Sequence, residues 1–105
     1  MGVNLDAIAS DFGCSVDDVK GMLMGITAEL PDIVDIIDTS IASDDFSSVV
    51  MATDMVKSKI NHFNLTDMES AVASLTDSAN AGDKAGAESS FAALKSAITA
   101  VEGSL

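Results

Sequence analysis

Few side chains in this chain of 105 residues could do chemistry, and the most suggestive fall between Ser47 and Leu65. Asp54 is followed one helical turn on by Lys57 and then by the small Ser58. An acid with two apolar neighbours, Val50 and Met51, and a lysine one turn on is not an ordinary solvated face. His62 is the one histidine, the side chain whose neutral imidazole is a nucleophile near pH 7. It lies about 12 Å along the axis from Asp54 and is rotated roughly 80° from it on a regular helix. The two therefore do not share one face, and the plain reading is a partly exposed histidine near a helix end, where the dipole favours its charge. Cys14 stands alone and can form no internal disulfide. With no histidine near it in sequence, it reads as a buried or half-buried spacer. Asp32, Asp35 and Asp38 climb one segment at three-residue steps, but one helix cannot wrap a calcium ion without loop oxygens from elsewhere, so they read as a solvated ridge. There is no Cys-x-x-Cys pair, histidine pair, glycine-rich phosphate loop or dinucleotide fingerprint. No metal, cofactor, small-molecule substrate or catalytic residue is expected, and the chain does not read as an enzyme.

The elements that position Asp54 follow from hydrophobic spacing. Phe46, Val49, Thr53, Val56, Ile60 and Phe63 recur every three or four residues and draw one mostly apolar stripe on a helix. Asp54 lies about 130° from the middle of that stripe and faces outward. Around it on the outer surface fall Ser47, Val50, Met51, Lys57, Ser58 and Asn61. Ser43 or Asp44 is predicted to cap this helix, which should end near His62 or Phe63.

The rest of the chain also reads as helices. Asn4 caps a short one with Leu5, Ile8, Ala9 and Phe12 on its apolar side, and Gly13 stops it. Ser15 and Asp18 form a capping box for a long core-facing helix marked by Val19, Leu23, Ile26, Leu30, Ile33, Ile37 and Ile41, with Met22, Val34 and Ile36 beside them. Pro31 falls inside it, where it bends or breaks a helix; the unbroken rhythm on both sides favours a bend over two in-line pieces. Thr66 to Glu69 reads as a second capping box, opening a helix with Met68, Ala71, Val72 and Leu75 on one face. Asp83 starts the last helix, whose buried side is Ala87, Phe91, Leu94, Ile98 and Val101. Its small residues, among them Gly86 and Ala97, allow close approach of a neighbour. Short connections force neighbouring helices antiparallel. The expected fold is all-α: an antiparallel four-helix bundle with a short additional N-terminal helix, forming one domain over residues 1–105.

Composition agrees and narrows the partners. Hydrophobic residues make up 48% of the chain, enough for a packed core and against disorder. Seventeen acids against five lysines leave a formal charge of −12, which repels nucleic acid and anionic membrane surfaces. No apolar run approaches the ~20 residues of a spanning helix, so a cytoplasmic location is the expectation.

Asp54-Met55-Val56-Lys57-Ser58 resembles the core motif of histidine phosphotransfer (HPt) domains, in which a phosphorylatable histidine precedes x, an apolar residue, lysine, and glycine or a small residue. Val56 and Lys57 match, Ser58 stands for the glycine, and Asp54 occupies the histidine position. Phe12-Gly13, Glu29-Leu30-Pro31, Ala42 to Phe46 and Ala81-Gly82-Asp83 fall in order where the family has its other punctuation, over about ninety residues. The resemblance implies the family's helical bundle and a docking surface of Val50, Met51, Asp54, Lys57, Ser58 and Asn61. It implies a partner that is a response-regulator receiver domain or a histidine kinase, and, with the histidine replaced, a catalytically silent protein that modulates a two-component phosphorelay. Two other readings stay open: an active phosphotransfer protein using Asp54 or His62, and a helical adaptor or oligomerisation module with no phosphorelay role. Oligomeric state is not legible.

Overall fold

A computed structural model describes residues 4–105 of the chain. Five helices follow one another: α1 (Leu5–Phe12), α2 (Val16–Ala42), α3 (Phe46–Ile60), α4 (Thr66–Asn80) and α5 (Lys84–Gly103). The described residues contain no strand. α2 packs on α3 and α5, and α4 packs on α3 and α5, so the four longer helices close a ring. Each is joined to the next by a short turn, so consecutive helices run antiparallel. The result is a helical bundle 42 Å long and 20 Å across. Its axis holds Leu23, Leu30, Ile37, Val49, Val56, Ile60, Leu75 and Leu94, all sealed from solvent.

The termini of the helices are built from local chemistry. The Asn4 carboxamide oxygen accepts from the Ala7 amide at 3.0 Å, and the Asp83 carboxylate accepts from the Gly86 amide at 3.0 Å. Ser15 and Asp18 exchange bonds reciprocally, with the Asp18 amide donating to Ser15 Oγ at 3.1 Å. α1, α2 and α4 all close in one way. A residue in the left-handed region (Gly13, Asp44 or Gly82) sends its own amide, and that of the next residue, back to carbonyls of the last turn. α2 runs unbroken through Pro31, so the alternative of two in-line pieces is not realised.

Three boundaries differ from the sequence reading. The cap of α3 is Asp45, whose carboxylate accepts from the Ser48 amide, because Ser43 and Asp44 are taken up in closing α2. α3 ends at Ile60 with Asn61 as its C-cap, two or three residues earlier than expected, and Asn64 turns the chain with a φ of 53°. Thr66 is the first residue of α4 and makes no cap; the boundary residue is Leu65, which has no oxygen-bearing side chain.

α1 packs on α2 and meets the turn where α3 gives way to α4. The Phe12 and Phe63 rings meet at 5.2 Å in a tilted pair, and Asn64 Nδ2 donates to Asp11 Oδ2 at 3.1 Å.

Candidate functional site

The outward face of α3 is positioned by what lies under it. Val49, Thr53, Val56 and Ile60 are buried, as their spacing requires, and Phe46 is half-buried at the start of the helix. Thr53, at 0% exposure, is a hydroxyl inside an otherwise apolar seam. It donates to the Val50 carbonyl at 2.8 Å and accepts from the Thr76 hydroxyl of α4 at 2.9 Å. A buried polar group costs stability unless it is paired, and this pairing holds α3 and α4 in rotation against each other. Asp54 is the next residue, so its direction is set by the same contact.

Asp54, Met51, Lys57, Ser58, Asn61 and Ser47 are all exposed. Val50 is not: it is half-buried and packs against the core. The reading that set it on the outer surface is corrected, because it sits on the flank of α3 that α4 partly covers. Met55, which the sequence reading passed over, is 46% exposed, and Met51 is 67% exposed. The helix therefore presents two open methionines beside Asp54, with the apolar share of the surface shifted from Val50 to Met55.

Asp54, Lys57 and Asn61 share an open groove with residues of α4, chiefly Glu69, Val72, Thr76 and Asp77. The α4 side could not be named from spacing, because it depends on which helix packs beside α3. Three carboxylates and one lysine line this groove. Among the described residues Lys57 forms no ion pair, whereas Lys59, on the opposite flank, is bound to Glu29 of α2 at 2.7 Å. The groove thus holds an uncommitted ammonium in an acidic setting. It disfavours free anions but can meet an anionic group carried in on a larger partner.

His62 is not brought to Asp54. It lies in the turn after α3, exposed, and shares a shallow apolar depression with Phe12, Cys14, Met22 and Phe63 at the α1 end of the bundle. Cys14 is half-buried there, within the same depression as the histidine that sequence distance had kept apart from it. Asp32, Asp35 and Asp38 are exposed along α2, and no group of three or more His, Cys, Asp or Glu converges into a metal site among the described residues. No helix among them is long and apolar enough to cross a membrane.

Compared with known protein families, curated proteins and solved structures, the chain matches none of them.

Proposed function

We propose that this chain is a catalytically silent protein of the HPt type, which docks a response-regulator receiver domain or a histidine-kinase domain on the Met51–Asn61 face of α3 and thereby modulates a phosphorelay. On this reading the ring of four helices is the antiparallel bundle of that family, with α1 as the short additional N-terminal helix. The observation that carries the proposal is the exposed Asp54 with Lys57 one turn beyond it and two open methionines alongside.

The chemistry follows from replacing an imidazole by a carboxylate. A phosphoryl group arriving as an aspartyl phosphate needs a nucleophile that can displace a carboxylate and hold the product. A neutral imidazole nitrogen does so, and a cation nearby offsets the charge. An Asp54 oxygen attacking the same phosphorus would exchange one acyl phosphate for another, and its negative charge meets the acidic pocket of a receiver unfavourably. Docking survives this change better than transfer does. Met51 and Met55 are flexible apolar groups suited to an adaptable interface, and Lys57 remains available to an anionic partner group.

The test is a titration of isotopically labelled protein with receiver domains and with the phosphotransfer domain of a histidine kinase, followed by NMR. Shifts are expected at Met51, Met55 and Asp54 to Asn61. Shifts confined to another face, or none with any such domain, would overturn the reading.

A further inference from the structure

We infer that the outer face of α2 around Gly21 and Gly25 is a second docking surface, built to receive a partner helix with an apolar centre and basic ends. It lies away from the Asp54 groove and does not depend on the function proposed for that groove.

Two observations meet there. The first is a pair of glycines with no task inside the fold. Gly21 and Gly25 are exposed and sit in the middle of a regular helix without positive φ, and a Cβ at either would meet nothing within 4 Å. Glycine in a helix interior weakens it, so neither turn geometry nor internal packing accounts for them. The contrast is Gly86, whose missing Cβ makes room for the Asp83 cap and the Ser78 hydroxyl. The second is a pair of exposed methionines. Met22 is 38% exposed and Met24 58% exposed, on a helix whose other large apolar side chains mostly point inward. One turn apart, the glycines share a face, and Met22 and Met24 fall about 80° to either side of its midline. The surface is a flat strip of bare backbone with a flexible thioether at each edge, the shape that lets another helix come close while the methionines wrap it.

Charge selects the occupant. Asp17 and Asp18 stand about one turn before the strip, and Asp32 and Asp35 follow it, with Asp32 about 10 Å beyond Gly25 near the same midline. All four are exposed. A second copy of this chain, itself at −12, would set acids against acids in either orientation across the strip. A helix with lysine or arginine beyond both ends of an apolar stretch fits both features.

The experiment uses the full chain with labelled methionine methyl groups and a synthetic helical peptide with an alanine–leucine centre and lysines at both ends. Saturable shifts of the Met22 and Met24 methyls are expected. The double variant Gly21→Gln/Gly25→Gln keeps the charge, the fold and the helix but fills the strip, and should weaken binding about tenfold or more. A peptide with glutamates in place of the lysines should leave the spectrum unchanged. Unchanged affinity in the double variant would reduce the binding to charge attraction alone and overturn the inference, as would shifts elsewhere or no saturable shift. Sedimentation showing self-association that the double variant abolishes would assign the strip to a second copy and reject the basic partner.

Discussion

The hydroxyl of Thr76 donates to the hydroxyl of Thr53 across 2.9 Å, linking α4 to α3 directly beneath Asp54. The same Thr76 proton has a second acceptor at 2.9 Å, the Val72 carbonyl of its own helix. Thr53 in turn gives its proton to the Val50 carbonyl. One Thr76 proton serves one acceptor at a time, so removing either hydroxyl leaves the other with somewhere to donate. Thr53→Val is therefore expected to cost less than about 1 kcal/mol, whereas Thr53→Ala adds a cavity and should cost about 1 kcal/mol more. Urea unfolding of the two single valine variants and the double, read at constant m-value, should give a coupling of roughly 0.5–1 kcal/mol. A coupling near zero would mean that Thr76 spends its proton on Val72 instead.

Gly86 differs in kind from Gly21 and Gly25, and alanine substitution should separate them by sign. At Gly86 an added Cβ would lie 2.5 Å from Asp83 Oδ2 and 2.8 Å from Ser78 Oγ. The carboxylate that caps α5 would have to move, so Gly86→Ala should lose about 1 kcal/mol, the value of a helix cap. At Gly21 and Gly25 nothing stands in the way, and each change to alanine should gain roughly 0.5–1 kcal/mol. Thermal unfolding of the three variants tests the order. Destabilisation by Gly25→Ala would reveal an internal role for that position.

The helices and most of the core could be read from spacing because each helix buries a stripe that repeats every three or four residues. Val19, Leu23, Leu30, Ile37 and Ile41 are buried for this reason. Caps that depend on a local side chain, Asn4, Ser15 with Asp18, and Asp83, were equally legible. Asp45 was not, because Asp44 and Asp45 are the same residue type and only the backbone decides which closes α2 and which opens α3. At the site the limit was tertiary. Val50 lies about 90° from the middle of the stripe read from spacing, and Met55 about 130° on the other side. Both fall outside the stripe, yet one is half covered and the other open. Nor could spacing tell that Glu69 and Asp77 face Asp54, or that Cys14 and His62 share a depression.

Asp44 holds a left-handed conformation, φ 58°, at a place where α1 and α4 use glycine. Aspartate tolerates that region better than alanine but less well than glycine. Its carboxylate also meets Lys84 Nζ at 3.2 Å, an ion pair exposed on both sides and worth little. The expected order of stability is therefore Gly above Asp above Ala at this position, with steps of about 0.5–1 kcal/mol. Chemical denaturation of Asp44→Gly and Asp44→Ala checks it. If Asp44→Gly were less stable than the parent chain, the ion pair would be stronger than its exposure suggests.

Replacing Asp54 with histidine asks whether the scaffold retains what phosphotransfer needs apart from the nucleophile. Asp54 is exposed, so an imidazole there should be accepted with little change in stability, within about 0.5 kcal/mol. It would stand one turn from Lys57, with Ser58 leaving room for a partner. Incubated with a receiver carrying an aspartyl phosphate, the variant is expected to take up an acid-labile, base-stable label characteristic of phosphohistidine. Lys57→Ala in the same background should slow uptake by roughly tenfold, about 1.4 kcal/mol of lost electrostatic stabilisation. Binding must be followed alongside transfer, by the shifts at Met51 and Met55, because the two outcomes separate. A variant that binds the receiver but gains no label has the surface without the attack geometry, which would leave the α3 face a docking site and remove the case for descent from a phosphate carrier.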